Sequence, residues 1–143
     1  MRIQNETHVD TNGLRRVFQS VLTLDNKYET KIKSKDLMVK VVYGRSWWTG
    51  GSAWVGHEPR YLYLKNGRLK RLPNITIKLP AKKYFNNSFT DAQIIDRQDR
   101  WMLAYVFLHE LQHTRGFKHR KINDKNLKEL VKHIKFNKLK KGD

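Results

Sequence analysis

The chain has 143 residues, enough for one domain with a hydrophobic core and few for two. Thirty basic residues against thirteen acidic ones leave a net charge of +17, which suits a polyanionic neighbour such as nucleic acid, an anionic membrane surface or an acidic protein. There is no cysteine, so disulfide frameworks and thiolate metal sites are excluded and any metal must be held by nitrogen and oxygen. No apolar run reaches the length of a membrane span, and the opening residues MRIQNETHVD lack the apolar stretch of a signal peptide. An intracellular, cytoplasmic protein is the expectation.

Residues 1 to 10 read as a loose lead-in. From Thr11, Leu14, Val17, Phe18, Val21 and Leu22 recur at three- and four-residue spacing, the pattern of an amphipathic helix lying on a sheet, with Asp10 or Thr11 as its cap. A lysine-rich connector from Asp25 to Asp36 leads to LMVKVVY, Leu37 to Tyr43, a strand rich in β-branched residues. Trp47, Trp48 and Trp54 then bracket Gly50-Gly51, a hairpin or aromatic loop. Those tryptophans have two open readings, packing on a sheet face or stacking on unpaired bases. His57-Glu58-Pro59 reads as a turn. Tyr61 to Leu64 and Arg68 to Leu72 flank Asn66-Gly67, a hairpin signal. Ile75 to Leu79 is a further strand, ended by Pro80, and Lys82 to Ser88 is a basic loop. Thr90 or Asp91 can cap the next helix, which runs through Trp101, Leu103, Tyr105 and Leu108, with a break near Asp96 to Asp99 left open. A last helix carries Leu127, Leu130, Val131 and Ile134 and starts at Asn123 or Asp124; its lysines are either a solvated face or a phosphate-contacting one.

The most specific stretch is HELQHTRGFKH, His109 to His119, which contains H-E-x-x-H. His109 and His113, four residues apart, lie one turn apart on one helix face, where two imidazoles can share one metal ion. Glu110 is not a ligand in this arrangement but lies beside the metal, placed to take a proton from water. Gly116 suits a helix end in the left-handed conformation, after which the chain can turn back and bring His119 to the same metal. Three protein ligands leave a position for water, as in a catalytic zinc site. Leu108 and Leu111 should then face the core and His109 and His113 the cleft.

Extended to H-E-x-x-H-x-x-G-x-x-H, these eleven residues resemble the metzincin branch of the zincin metallopeptidases. The same histidines are similar, less closely, to the WLM and SprT-like metallopeptidases. The resemblance implies an α+β zincin-like fold over residues 1–143 as a single domain. Its parts would be an N-terminal helix, a small, mostly antiparallel twisted sheet, an active-site helix and a basic C-terminal helix. It implies a zinc-dependent peptidase acting on protein or peptide substrates, with His109, His113 and His119 as zinc ligands and Glu110 as general base. It also implies an edge strand that holds the substrate, for which Arg68 to Leu72 and Ile75 to Leu79 are the candidates. The chain departs from the pattern in its methionines, Met1, Met38 and Met102, none of which follows His119, and in having no tyrosine after Tyr105. Leu127, Leu130 or another apolar side chain of the last helix is therefore expected to floor the metal, and a basic side chain such as Arg115 to assist the oxyanion. The competing reading is a basic nucleic-acid-binding module with a structural or vestigial zinc site.

Overall fold

The computed structural model describes residues 1–44, 51–53, 61–80, 97–118 and 121–134. Among these the class is α+β. The elements, in chain order, are β1 (Arg2–Asn5), α1 (Thr11–Tyr28), β2 (Met38–Tyr43), β3 (Gly51–Ala53), β4 (Tyr61–Tyr63), β5 (Leu69–Arg71), β6 (Asn74–Leu79), α2 (Arg97–Thr114) and α3 (Asp124–Lys132).

The main sheet has the order β1-β2-β6-β3. It corrects the expectation of a mostly antiparallel sheet: β1 with β2 and β2 with β6 are parallel, and only β3 runs antiparallel, on β6. Parallel neighbours need a crossover between them, and α1 supplies it for β1 and β2. The supposed lead-in is thus an edge strand. Arg2 N–H donates to Leu37 O at 3.0 Å and Glu6 N–H to Val41 O at 2.9 Å. Asn5 shapes the turn into α1, donating to Val9 O at 2.6 Å and to Thr11 Oγ1 at 3.0 Å, while its own oxygen accepts from Thr7 N–H at 2.9 Å. Asp10, not Thr11, then caps α1 by accepting from Gly13 N–H at 2.9 Å.

In register, Ile3, Val39 and Ile75 stand side by side, as do Val41 and Ile77. Alternation places all five on one sheet face with Leu79. Val39, Val41, Ile75 and Ile77 are fully buried, and Lys40, Thr76 and Lys78 on the other face are not. A parallel sheet covered on both faces reads as continuous apolar runs; here, among the described residues, helices pack on one face and the pattern alternates. The cover consists of α1 and α2, which pack on each other and on the sheet. Phe18 of α1 meets Phe107 of α2 with ring centroids 4.6 Å apart, and Leu14, Val21, Leu103, Leu108 and Leu111 fill the layer around them. Each such buried side chain contributes about 1.5–3 kcal/mol of apolar burial.

The Asn66-Gly67 hairpin forms as expected, pairing β4 with β5 in a separate two-stranded sheet. Two expectations for a substrate-holding edge need correction. β6 lies between β2 and β3 and has no open edge, and β5 is outside the main sheet; the antiparallel edge strand is β3, which also contacts α2. No helix among the described residues is long and apolar enough to cross a membrane. Trp47, Trp48, Trp54, His57, the basic loop at 82–88, the Thr90/Asp91 cap and His119 lie outside the described residues.

Candidate metal centre

The last two turns of α2 carry HELQHT. Leu108 and Leu111 are 1% and 0% exposed and face the core, as the spacing required, while His109 and His113 are half-buried on the adjoining face. The helix then ends at glycine. Gly116 has φ +90°, its N–H donates to His113 O at 2.9 Å, and Phe117 N–H reaches back to Gln112 O at 3.2 Å. This pair of bonds is a Schellman motif, which needs the left-handed residue that glycine provides without strain.

The motif also builds part of the site. It turns the Phe117 carbonyl beneath His113, whose Nδ1–H donates to Phe117 O at 2.8 Å. His109 is held in the same way from another element: its Nδ1–H donates to Asp124 Oδ1 at 2.8 Å. Asp124 stands in the first turn of α3, whose preceding residue Asn123 caps the helix by accepting from Asn126 N–H at 3.1 Å. A carbonyl and a carboxylate only accept, so both imidazoles carry their ring proton on Nδ1. In a neutral ring Nε2 is then the acceptor nitrogen, and the two Nε2 atoms converge to 3.1 Å.

That arrangement tests the fit of a metal. Two nitrogens 3.1 Å apart can both lie at the ~2.0–2.1 Å of a zinc–imidazole bond, with an angle near 100° at the ion. Histidine ligands of metals characteristically donate their other N–H to a carboxylate or a backbone carbonyl, which fixes tautomer and ring orientation; here one histidine has each kind of partner. The donor atoms of His109, Glu110 and His113 all lie within 4.8 Å of one another. The group could hold a metal ion, and its chemistry and geometry fit one.

Glu110 is 4% exposed, and its Oε2 has no hydrogen-bond partner among the described residues. Burial pushes its carboxyl up to about 7, against the opposing influence of the His109 charge. Asp124 behaves oppositely. Burial alone would raise it, but hydrogen bonds from His109 and Tyr105 and the charges of His109 and Lys128 outweigh burial and hold it below the ordinary aspartate value. Burial, followed by the hydrogen bond and charge of Asp124, pushes Tyr105 up to about 12. Tyr105 lies one turn before His109, its ring edge-on to that imidazole at 6.3 Å, with Trp101 stacked on it at 6.0 Å and the Lys128 ammonium 5.2 Å from its centroid. Trp101, Tyr105, His109 and His113 thus form one stripe along α2.

The structure brings together three of the four residues singled out from sequence, His109, Glu110 and His113; the fourth, His119, lies outside the described residues. Two supporting expectations concern the last helix and Arg115, and the second is corrected. Leu127 and Leu130 line, with Leu24 and Leu108, a cavity of about 400 Å³ among α1, α2 and α3, and the α3 side chain that reaches the histidines is Asp124. Arg115 is committed elsewhere: its guanidinium pairs with the buried Asp25 carboxylate and donates to Thr30 O at 2.7 Å. From sequence, Asp124 is legible only as a candidate helix start. The signal available in the sequence was an acidic residue in the first turn of a capped helix soon after the motif, which does not say where that helix docks.

None of the family models, curated proteins or solved structures compared with the chain matches it.

Proposed function

We propose that the chain is a zinc-dependent metallopeptidase with a zincin-like fold. The observation that carries this reading is the pair of imidazoles in HELQH. Their Nε2 atoms meet at 3.1 Å while Asp124 and the Phe117 carbonyl hold both Nδ1–H groups. His109 and His113 would hold the ion, and His119, three residues beyond Gly116 in sequence, would be the third ligand. A donor set of imidazoles without thiolates suits zinc. When bound, zinc lowers the pKa of a coordinated water to about 7 and polarises the scissile carbonyl.

The remaining chemistry belongs to the chain. Glu110 is next to His109 in the helix, is buried, and has a carboxylate oxygen within 4.8 Å of a ring nitrogen of each histidine. It takes the proton from the attacking water and returns it to the leaving amine. Asp124 and the Phe117 carbonyl keep the two rings from rotating, so little reorganisation is needed when substrate arrives. β3, the antiparallel edge of the sheet in contact with α2, is the strand on which an extended substrate backbone would pair.

The test is Glu110→Gln. Zinc content should be retained, and hydrolysis of an unfolded protein substrate should fall by about 10²–10⁴. A Glu110→Gln protein with full zinc and full hydrolytic rate contradicts the assignment.

A further inference from the structure

The β4–β5 hairpin is unlike the rest of the fold. All six of its strand residues are exposed, and they include Tyr61 at 52%, Tyr63 at 79% and Leu69 at 52%. A two-stranded hairpin with both faces in water is marginal by itself, and large exposed side chains gathered on so few residues mark an interaction surface. The turn is firmly built. Gly67 sits at φ +78°, Gly67 N–H donates to Leu64 O at 2.9 Å, and Asn66 Oδ1 accepts from Arg68 N–H at 3.0 Å.

The charge is as one-sided as the exposure. Residues 61–80 contain Lys65, Arg68, Lys70, Arg71 and Lys78 and no acidic residue. The register pairs Tyr61 with Arg71, Tyr63 with Leu69 and Leu62 with Lys70. Directly opposed residues share a face, so one face carries both tyrosines, Leu69 and Arg71, and the reverse carries Leu62 and Lys70. Neither face is free of a cation, which disfavours an apolar protein partner and the one-sided insertion of a membrane anchor. Rings at i and i+2 of a strand stand roughly 7 Å apart, a spacing open to successive bases of an extended single strand. Base–aromatic stacking combined with cations along the backbone is how unpaired nucleic acid is held without sequence preference.

We propose that this hairpin is a binding site for single-stranded nucleic acid. Tyr61 and Tyr63 stack on successive bases, and Lys65, Arg68, Lys70 and Arg71 contact the flanking phosphates. The proposal does not depend on the metal centre.

The experiment measures anisotropy of a fluorescent oligothymidylate of about ten nucleotides with the full chain across a salt series. A matched duplex and phosphatidylglycerol vesicles serve as competitors. Replacing both tyrosines (Tyr61→Ala with Tyr63→Ala) should weaken binding roughly a hundredfold, about tenfold for each ring, and the corresponding Tyr→Phe pair should restore it. Lys65→Ala with Lys70→Ala should make the slope of log K against log salt shallower by about 1.4, or 0.7 for each lost phosphate contact. All four side chains are exposed, so the melting temperature should not change. Three results would overturn the proposal: a wild-type chain that does not bind the oligonucleotide at low salt, a double-alanine variant that binds as tightly as wild type, or vesicles that displace the oligonucleotide while the duplex and the tyrosine changes have no effect.

Discussion

The Asp25–Arg115 pair offers a sharp test of how the site is held. The Asp25 and Arg115 side chains are 1% and 7% exposed. Besides Asp25, the guanidinium donates to Thr30 O at 2.7 Å and, more weakly, to Leu111 O at 3.4 Å, while Gln112 Nε2 donates to the other Asp25 oxygen at 3.2 Å. The network ties the end of α1 to the end of α2, next to the Gly116 turn that presents the Phe117 carbonyl to His113. Arg115→Met removes one charge-assisted hydrogen bond, worth about 1.5–3 kcal/mol, and the carbonyl bonds to Thr30 and Leu111, together about 1–2 kcal/mol. The sum agrees with the roughly 3–5 kcal/mol lost when one partner of a buried pair is removed. Because Arg115→Met with Asp25→Asn removes both charges, the double variant should lose less than the sum of the singles.

The pH dependence has a definite sign. Burial holds Asp25 above the ordinary aspartate pKa, although the hydrogen bond and charge of Arg115 pull it down. The folded state therefore binds this proton more tightly than the unfolded chain does. Between the ordinary value and the raised one, the Asp25 contribution to stability is present at the acid end and is lost as pH rises. Arg115→Met removes the two lowering influences and widens that window upward. Its deficit relative to wild type should be small where Asp25 is protonated and grow toward neutral pH, whereas the deficit of Asp25→Asn should lack that growth. Urea denaturation at a series of pH values measures both. An Arg115→Met loss below about 1 kcal/mol at neutral pH, or a deficit that does not change with pH, would refute the reasoning.

Two further expectations concern the same region. Asp124→Asn keeps the size of the side chain that orients His109 but removes its charge, so zinc affinity measured against a competing chelator should fall by about 10–100-fold with little change in secondary structure by circular dichroism. Gly116→Ala has room for the added methyl among the described residues, with no neighbouring atom of theirs within 4 Å of it, yet it forces alanine to φ +90°. The expected cost is about 1–2 kcal/mol of stability, and Gly116→Asn should recover part of it because asparagine tolerates the left-handed region.

Local signals were legible in the sequence. The three- and four-residue spacing of Leu14, Val17, Phe18, Val21 and Leu22 gave α1, the β-branched run gave β2, and Asn66-Gly67 gave the hairpin, because each depends on neighbours within a few residues. The two histidines and Gly116 are also local, fixed by the helical repeat and its termination. What could not be read depends on distant partners. β1 is four residues long with a single large apolar side chain, Ile3, and exists because β2 lies beside it. Whether strands run parallel is decided by connections, not by composition, so the sheet direction is not legible in the sequence. Arg115 finds Asp25 ninety residues away, and His109 finds Asp124 only once α3 has docked. The motif names the candidate ligands, and the partners that orient His109 and His113 come from the fold.

The central claim is that HELQH is a metal centre, and metal content tests it most directly. Elemental analysis of the metal-replete wild type beside His113→Ala should find about one zinc per chain, lost in the variant while its circular dichroism spectrum stays that of the folded protein. A metal-replete wild type without zinc, or a His113→Ala protein that keeps all of it, would contradict the account.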